Sequence, residues 1–398
     1  MNLPLTRIAL AAAALAWPCL LPAGPSGEAA FTLETTADLE TGNGQEAPGP
    51  TEAEFAGNPM SSVFGWWPED LIAAPIPGYS PEFGWKLGLM AGYFLDLGQD
   101  GSEAPPSLLG VFGMTSENGS NAYAVAGNLH LFGDRLRVVA AYGEIDFRYR
   151  FWGIGNDAGE TGRSIDIRQQ SPIGMLSARY EVLPDLYAGL GYLGGDSDIA
   201  LRFDVPLPPG FDDPTVAVKM AALQVPLDYD TRDSEYFPRE GWLASARGFF
   251  YRESIGSDFD ADIYSLSVNR YLPMGDRDVF AARGYFKAAD DSAPFFLLSS
   301  FGGKTDLRGY DNGRYRDRMM YAVQGEYRWR YSDSWVFTGF AGVGEVANSF
   351  GDFGDNLLPA AGVGARFMLS QTHQFSLSFD VATGKNGTQF YFGLGEAF

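Results

Sequence analysis

Residues 301–330 read FGGKTDLRGYDNGRYRDRMMYAVQGEYRWR, and their two halves obey different physics. From 301 to 318 the chain is rich in glycine and charge: Lys304, Arg308, Arg314, Arg316 and Arg318 stand against Asp306, Asp311 and Asp317. Gly302, Gly303, Gly309 and Gly313 permit backbone angles that other residues avoid, so this half is a loop. From 319 to 331 the pattern alternates. Val323, Gly325, Tyr327, Trp329 and Tyr331 share one face, and Gln324, Glu326, Arg328 and Arg330 share the other. A period of two is a strand. One face is too charged for a soluble core and the other too aromatic for water. Lipid outside and a polar lumen inside satisfy both.

The same alternation recurs outward from this stretch. Trp85, Leu87, Leu89, Ala91, Tyr93 and Leu95 form one apolar face; Tyr123, Val125, Gly127, Leu129 and Leu131 form another, opposite Asn128 and His130. Ile145, Phe147, Tyr149 and Phe151 read as a third lipid face, with Glu144, Asp146, Arg148 and Arg150 as inward charges. Leu176 to Val182, Tyr264 to Val268 and Phe375 to Val381 alternate in the same way. A soluble sandwich would also alternate, with its apolar face inward. So many such strands, with so much aromatic surface, point instead to an all-β, transmembrane antiparallel β-barrel. Gly133-Asp134, Pro184-Asp185 and residues 331–334 make short turns, and longer breaks lie near 153–165, 204–215, 290–317 and 347–358. Short turns on one rim and long loops on the other suit an outer-membrane barrel. About fifteen strand-like segments follow residue 84. Two ends on the periplasmic side require an even number, so a sixteenth strand is expected near 62–82.

The loop and its strand also carry a resemblance. GG-x-x-x-LRGY followed by a strand ending in EYR resembles the sixth extracellular loop and twelfth strand of the BamA/TamA superfamily, the bacterial surface antigen family. Phe151-Trp152-Gly153-Ile154-Gly155-Asn156 resembles its FxGIGN motif, and Asp230-Thr231-Arg232-Asp233 its DTRD periplasmic turn. The resemblance covers roughly 80–398 and implies sixteen strands with a weak seam between first and last. It implies that the loop motif Gly302, Gly303, Leu307, Arg308, Gly309 and Tyr310 folds into the lumen. It further implies that Arg308 clasps Glu326 on the inner wall. The family's second acid aligns with Gly342, so that half of the clasp is missing or replaced. A closing strand with Tyr391, Gly393 and a terminal Phe398 resembles the sorting signal of such barrels, although Glu396 stands where a hydrophobic residue is usual.

The chain begins as a secretory signal over 1–30: Arg7, then the apolar run Ile8 to Trp17, then small residues to Ala30. That run falls short of the ~20 residues that cross a bilayer as a helix. Pro18 argues against lipidation of Cys19, and cleavage near Ala29 or Ala30 would leave a mature chain without cysteine. Residues 31–60 read as an acidic disordered leader, too short and too polar for the POTRA domains that relatives carry. The barrel domain is expected over 61–398, with Trp66 and Trp67 as an interfacial lead-in.

The chemistry excludes more than it includes. Fifty acids against 28 basic residues leave a net charge of −22, which argues against nucleic acid. No nucleophile motif accompanies His130 or His373, so an enzyme is not expected. No zinc pattern is present, and Asp258, Asp260 and Asp262 lack the glycine and distal glutamate of a calcium loop, so neither metal nor cofactor is expected. The expected setting is the outer membrane of a Gram-negative bacterium, with outer-membrane lipids and lipopolysaccharide around the barrel. The resemblance implies a role in outer-membrane protein insertion, assembly or translocation, with unfolded outer-membrane proteins or the assembly machinery as partners. The alternative is a channel or structural barrel without client-handling activity.

Overall fold

The computed structural model describes residues 70–80, 83–95, 97, 107–202, 214–234, 237–370 and 375–398. The signal over 1–30, the leader over 31–60 and the Trp66–Trp67 lead-in lie outside the described residues. The strands are β1 (Leu71–Ser80), β2 (Gly84–Leu95), β3 (Ser107–Ser116), β4 (Asn121–Leu131), β5 (Leu136–Phe151) and β6 (Ile165–Leu183). They continue with β7 (Leu186–Arg202), β8 (Thr215–Asp230), β9 (Gly241–Tyr251), β10 (Ala261–Met274) and β11 (Asp278–Ala289). Within the long loop after β11, β12 (Ser299–Ser300) and β13 (Arg316–Asp317) pair as a small ribbon. The wall resumes with β14 (Met319–Arg330), β15 (Trp335–Ala347), β16 (Leu358–Ser370), β17 (Phe375–Gly384) and β18 (Gly387–Leu394).

Without the ribbon, sixteen strands form one sheet in chain order, every neighbour antiparallel. The expected extra strand is β1. The rings of Tyr79 on β1 and Phe390 on β18 lie 6.5 Å apart, so the first and last strands stand side by side. Among the described residues no ladder register joins them, and the barrel is nearly closed. Short turns follow β4, β6, β10 and β14; long segments follow β5, β9, β11 and β15, so the two rims differ as the turn chemistry implies.

On most strands the faces fall as the alternation dictates. Trp85, Leu87, Leu176, Tyr180, Leu266, Val323 and Trp329 are exposed, whereas Asn128, Ser177, Asn269, Gln324, Glu326 and Arg328 are buried. The end of β5 is the correction. Ile145, Phe147 and Tyr149 are buried inside the barrel, and Glu144, Asp146, Arg148 and Arg150 lie on the outer side. The reason is length. β5 has 16 residues and β6 has 19. At ~3.3 Å per residue β6 runs about 60 Å, far beyond an apolar belt of about 25 Å. Above the belt the outer face meets water, so charges go out. The inside is then filled by Phe296, Leu297 and Leu298 of the loop after β11, packed with Ile145, Phe147, Tyr149, Ile167 and Ile199. The barrel is therefore inside-out within the belt and has an ordinary apolar core above it.

Two substitutions on β5 distinguish these faces. Phe147→Ala is expected to cost about 3–5 kcal/mol of stability, and Glu144→Ala to stay within about 0.5 kcal/mol. The temperature at which the detergent-folded barrel loses its fast gel mobility reads both. The reverse ranking would restore the outward placement of the aromatics.

Candidate functional site

The loop between β11 and β14 enters the lumen because its apolar residues find a wall there. Phe301, Leu307, Tyr310 and Tyr315 are buried with Met320, Ala322, Val346 and Leu358. Their rings touch in a triad, with Phe301–Tyr310, Phe301–Tyr315 and Tyr310–Tyr315 centroids 5.5, 6.0 and 5.7 Å apart. Gly309 has φ +115°, and a Cβ there would stand 2.9 Å from the Thr383 carbonyl carbon, so only glycine fits. Gly302 has φ +122°, and Gly303 lies against the Asp306 carboxylate.

This packing delivers Arg308 to a fully buried ionic cluster. Its Nη2 donates to Glu326 Oε2 at 2.7 Å and its Nη1 to Asp380 Oδ2 at 2.9 Å. Its guanidinium lies 3.4 Å from the Phe340 ring centroid. Arg366 on β16 donates to Asp380 at 2.6 Å and to Glu396 at 3.0 Å, and Arg328 donates to Glu326 at 2.9 Å. Three guanidiniums thus meet three carboxylates, the neutrality that burial of charge demands. The second partner of Arg308 is Asp380 on β17, which the sequence alignment did not supply. Gly342 cannot take that role here: a Cβ on it would be 3.0 Å from Leu307 Cδ1 and 2.6 Å from the Val323 carbonyl. The loop fills the space in which a side chain would sit.

The loop also holds the strands next to the seam. Lys304 Nζ donates to Ser378 Oγ at 2.7 Å and to the Gly395 carbonyl at 2.9 Å. A Cβ on Gly393 would lie 3.3 Å from that Nζ. The Tyr391 hydroxyl accepts the Gly309 N–H at 2.8 Å and donates to the Gly302 carbonyl at 3.2 Å. Tyr310 donates to the Pro359 carbonyl on β16 at 2.7 Å, and Gln389 on β18 donates to Asp311 at 3.0 Å. Tyr391 and Gly393 therefore face the loop. Phe398 is not in the closing strand: β18 ends at Leu394, Gly395 turns with φ +64°, and the chain passes into the lumen. Phe398 packs by the cluster of Phe237, Tyr271, Val279 and Val336, and Arg328 donates to its carbonyl at 2.5 Å. Glu396 is polar because it leaves the lipid-facing strand for Arg366. The sequence had a signal for it, as the one residue out of place in that closing pattern.

Two motifs support this arrangement from the rims. In the FxGIGN segment, the Gly155 N–H donates to the Arg316 carbonyl at 2.7 Å, and the Asn156 amide to the Val346 carbonyl at 2.7 Å. Helix α1 (Asn156–Thr161) follows, and Glu160 accepts from Tyr315 at 3.1 Å and Lys385 at 2.5 Å. The Lys385 hydrogen bond holds the Glu160 carboxyl below its usual range. At the opposite rim Arg232 donates to Asp230 at 2.8 Å, and Asp233 accepts the Arg239 and Glu240 N–H groups at 2.8 and 3.1 Å, a self-bonded turn.

His130 lies in a second, separate network. Its Nδ1 is 2.5 Å from Asp134 Oδ1 and its Nε2 is 3.1 Å from the Asn128 amide. Burial alone would raise the Asp134 carboxyl, but hydrogen bonds from His130 and Arg137 outweigh it and hold it low. The Ser107 hydroxyl accepts the His130 backbone N–H at 2.9 Å, not a ring proton, so these groups form no nucleophile–base pair. His373 lies outside the described residues. Asp258, Asp260 and Asp262 are taken up by the Lys219 N–H, the Glu253 N–H and Arg252. Among the described residues no group of three or more histidine, cysteine or acidic side chains could hold a metal ion.

Comparison with known proteins agrees with this geometry. Residues 213–398, which carry every member of the arginine cluster, match the Omp85 superfamily domain. That match lies in the same part of the chain as LRGY and EYR and points to the same superfamily as the resemblance read from them. The fold is similar to BamA from Haemophilus ducreyi lacking POTRA domains 1–3, at 16% identity and TM-score 0.56, covering 82% of this chain and 70% of that one. It is similar to CdiB from Escherichia coli, at 14% identity and TM-score 0.55, covering 82% of this chain and 63% of that one. CdiB from Acinetobacter baumannii gives 13% identity and TM-score 0.52, over 81% and 59% of the two chains. The chain thus spans less than two thirds of either CdiB. No curated protein matches it by sequence.

Removing one partner of a buried ion pair typically costs about 3–5 kcal/mol. Arg308→Ala and Asp380→Ala are each expected to free the loop, and limited proteolysis of the detergent-folded barrel should cut within 301–318 faster than in the parent. Glu326→Ala should do the same. Unchanged cleavage in all three would mean that the cluster does not hold the loop.

Proposed function

We propose that this protein is an outer-membrane barrel of the BamA/TamA kind that assists the insertion or passage of other proteins. The observation that carries the reading is the attachment of the lumenal loop to β16, β17 and β18 through Tyr310, Arg308, Lys304 and Tyr391. β18 has eight residues, about 26 Å at ~3.3 Å each. It stands beside β1 without a shared ladder among the described residues. A short strand with unpaired backbone groups is an edge that another strand can join. The loop then decides how firmly that edge is held. The Omp85 match over 213–398 supports the same role.

The channel reading has less support. On the loop side the lumen is packed by the apolar cluster that joins β5 to Phe296–Leu298, and on the turn side by the arginine cluster and Phe398. Planar-bilayer recordings of the parent should therefore show no steady open conductance, and a stable open level would favour the channel.

Locking the seam tests the main reading. A Tyr79→Cys, Phe390→Cys pair is placed where the two rings meet. Oxidation is expected to lower the steady-state level of newly made outer-membrane proteins severalfold in cells that depend on the variant, and reduction to restore it. If oxidised cells keep parental levels, and depletion of the protein also leaves them unchanged, the barrel does not handle clients at its seam.

A further inference from the structure

On the outer wall of β7 and β8 the change from apolar to charged takes place over four residues, and at the same level the outer face of β6 runs from leucine through glycine to proline. Leu223 gives way through Ala221 to Lys219, Tyr192 through Gly194 to Asp196, and Leu176 through Gly174 to Pro172. This line marks the upper edge of the lipid belt on the loop side. There the wall is low, because Gly174 and Ala221 bring almost no side chain, while the Tyr192 ring lies over Gly194. The result is an open surface depression of about 560 Å³ on the outside of the barrel. Its sides are Tyr142, Tyr192 and the turn ending at Gly256, and the Tyr192 hydroxyl donates across it to the Ile255 carbonyl at 3.3 Å.

The chemistry of the recess is graded along its length. Its lower mouth opens beside exposed Leu176, in the acyl region. Its upper mouth carries Lys219 and Asp196, register partners on β8 and β7 that both face outward. They make no ion pair with each other; the Asp258 carboxylate accepts the Lys219 backbone N–H at 2.7 Å, and among the described residues no ion pair engages the Lys219 ammonium. The nearby cation Arg168, by contrast, is already engaged by Asp146. An occupant must therefore be amphiphilic, with its anionic group at the height of Lys219. Basic side chains at the boundary recruit anionic lipid head groups, and aromatic walls suit that depth.

We infer that this recess binds a phosphorylated glycolipid of the outer leaflet, a lipid A-type molecule. Its phosphate meets Lys219, a sugar hydroxyl donates to Asp196, and a pyranose face lies on Tyr142 or Tyr192. One acyl chain runs down over Gly174 beside Leu176. The site is on the opposite side of the wall from the arginine cluster and does not depend on client handling.

Native mass spectrometry of the barrel in nanodiscs, titrated with bis-phosphorylated hexa-acyl lipid A, tests this. A Cβ at Gly174 would have its nearest neighbour, in Tyr142, at 3.7 Å, so Gly174→Leu fills the recess without displacing the wall. Lys219 is exposed, so Lys219→Glu leaves the fold intact and reverses the charge. Each variant is expected to lower retained lipid A about tenfold, with phosphatidylethanolamine retention unchanged. Parental retention in Lys219→Glu, or phosphatidylethanolamine displacing lipid A at equal concentration, would overturn the assignment. Lys219→Glu decides the matter alone if Gly174→Leu fails to fold.

Discussion

The interior of this barrel depends on neutralising charge away from water. Arg308, Arg328 and Arg366 are fully buried, and an isolated guanidinium at such depth would be prohibitively costly. Glu326, Asp380 and Glu396 supply the balance from β14, β17 and the segment after β18. No two of these carboxylates come from the same element. Neutrality is reached only when the loop, three strands and the chain end are all in place, so the cluster ties the order of the wall to the position of the loop.

That tie explains why the loop is linked to the seam. A clasp between Arg308 and β14 alone would fix the loop to the strand that immediately follows it. Asp380 brings in β17, and Lys304, Gln389 and Tyr391 bring in β18 and the chain beyond it. Leu307 meanwhile occupies the space over Gly342 and Gly344 on β15. The bare backbone at Gly342 and the partners on β17 are two aspects of one packing arrangement.

The wall is divided by height as well as by strand. Within the lipid belt, apolar side chains point out and the inside is polar. Above it, β5 to β7 continue upright and the rule reverses, because the solvent on their outer face has changed from acyl chains to water. The loop residues Phe296 to Leu298 make that reversal possible by giving Ile145, Phe147 and Tyr149 something to pack on inside. The glycolipid recess lies at the level where the two regimes meet.

Much of this was legible in the chain itself. Alternation with period two marks strands wherever one face is apolar, so the fold class and the inward placement of Glu326 and Arg328 followed directly; it gave about fifteen strands, and parity and the family resemblance supplied the sixteenth. Glycines and charge marked the loop. Alternation says nothing about depth, however, and the same pattern in β5 serves lipid below the boundary and a core above it. It also cannot tell which distant strand faces a given side chain. The partnership of Arg308 with Asp380, 72 residues away, follows from the curvature that brings β17 round to the loop. Glu396 and Phe398 looked like a flawed closing strand until the turn at Gly395 carried them inside. Local periodicity determined which residues form the wall; only closure of the wall decided which of them meet.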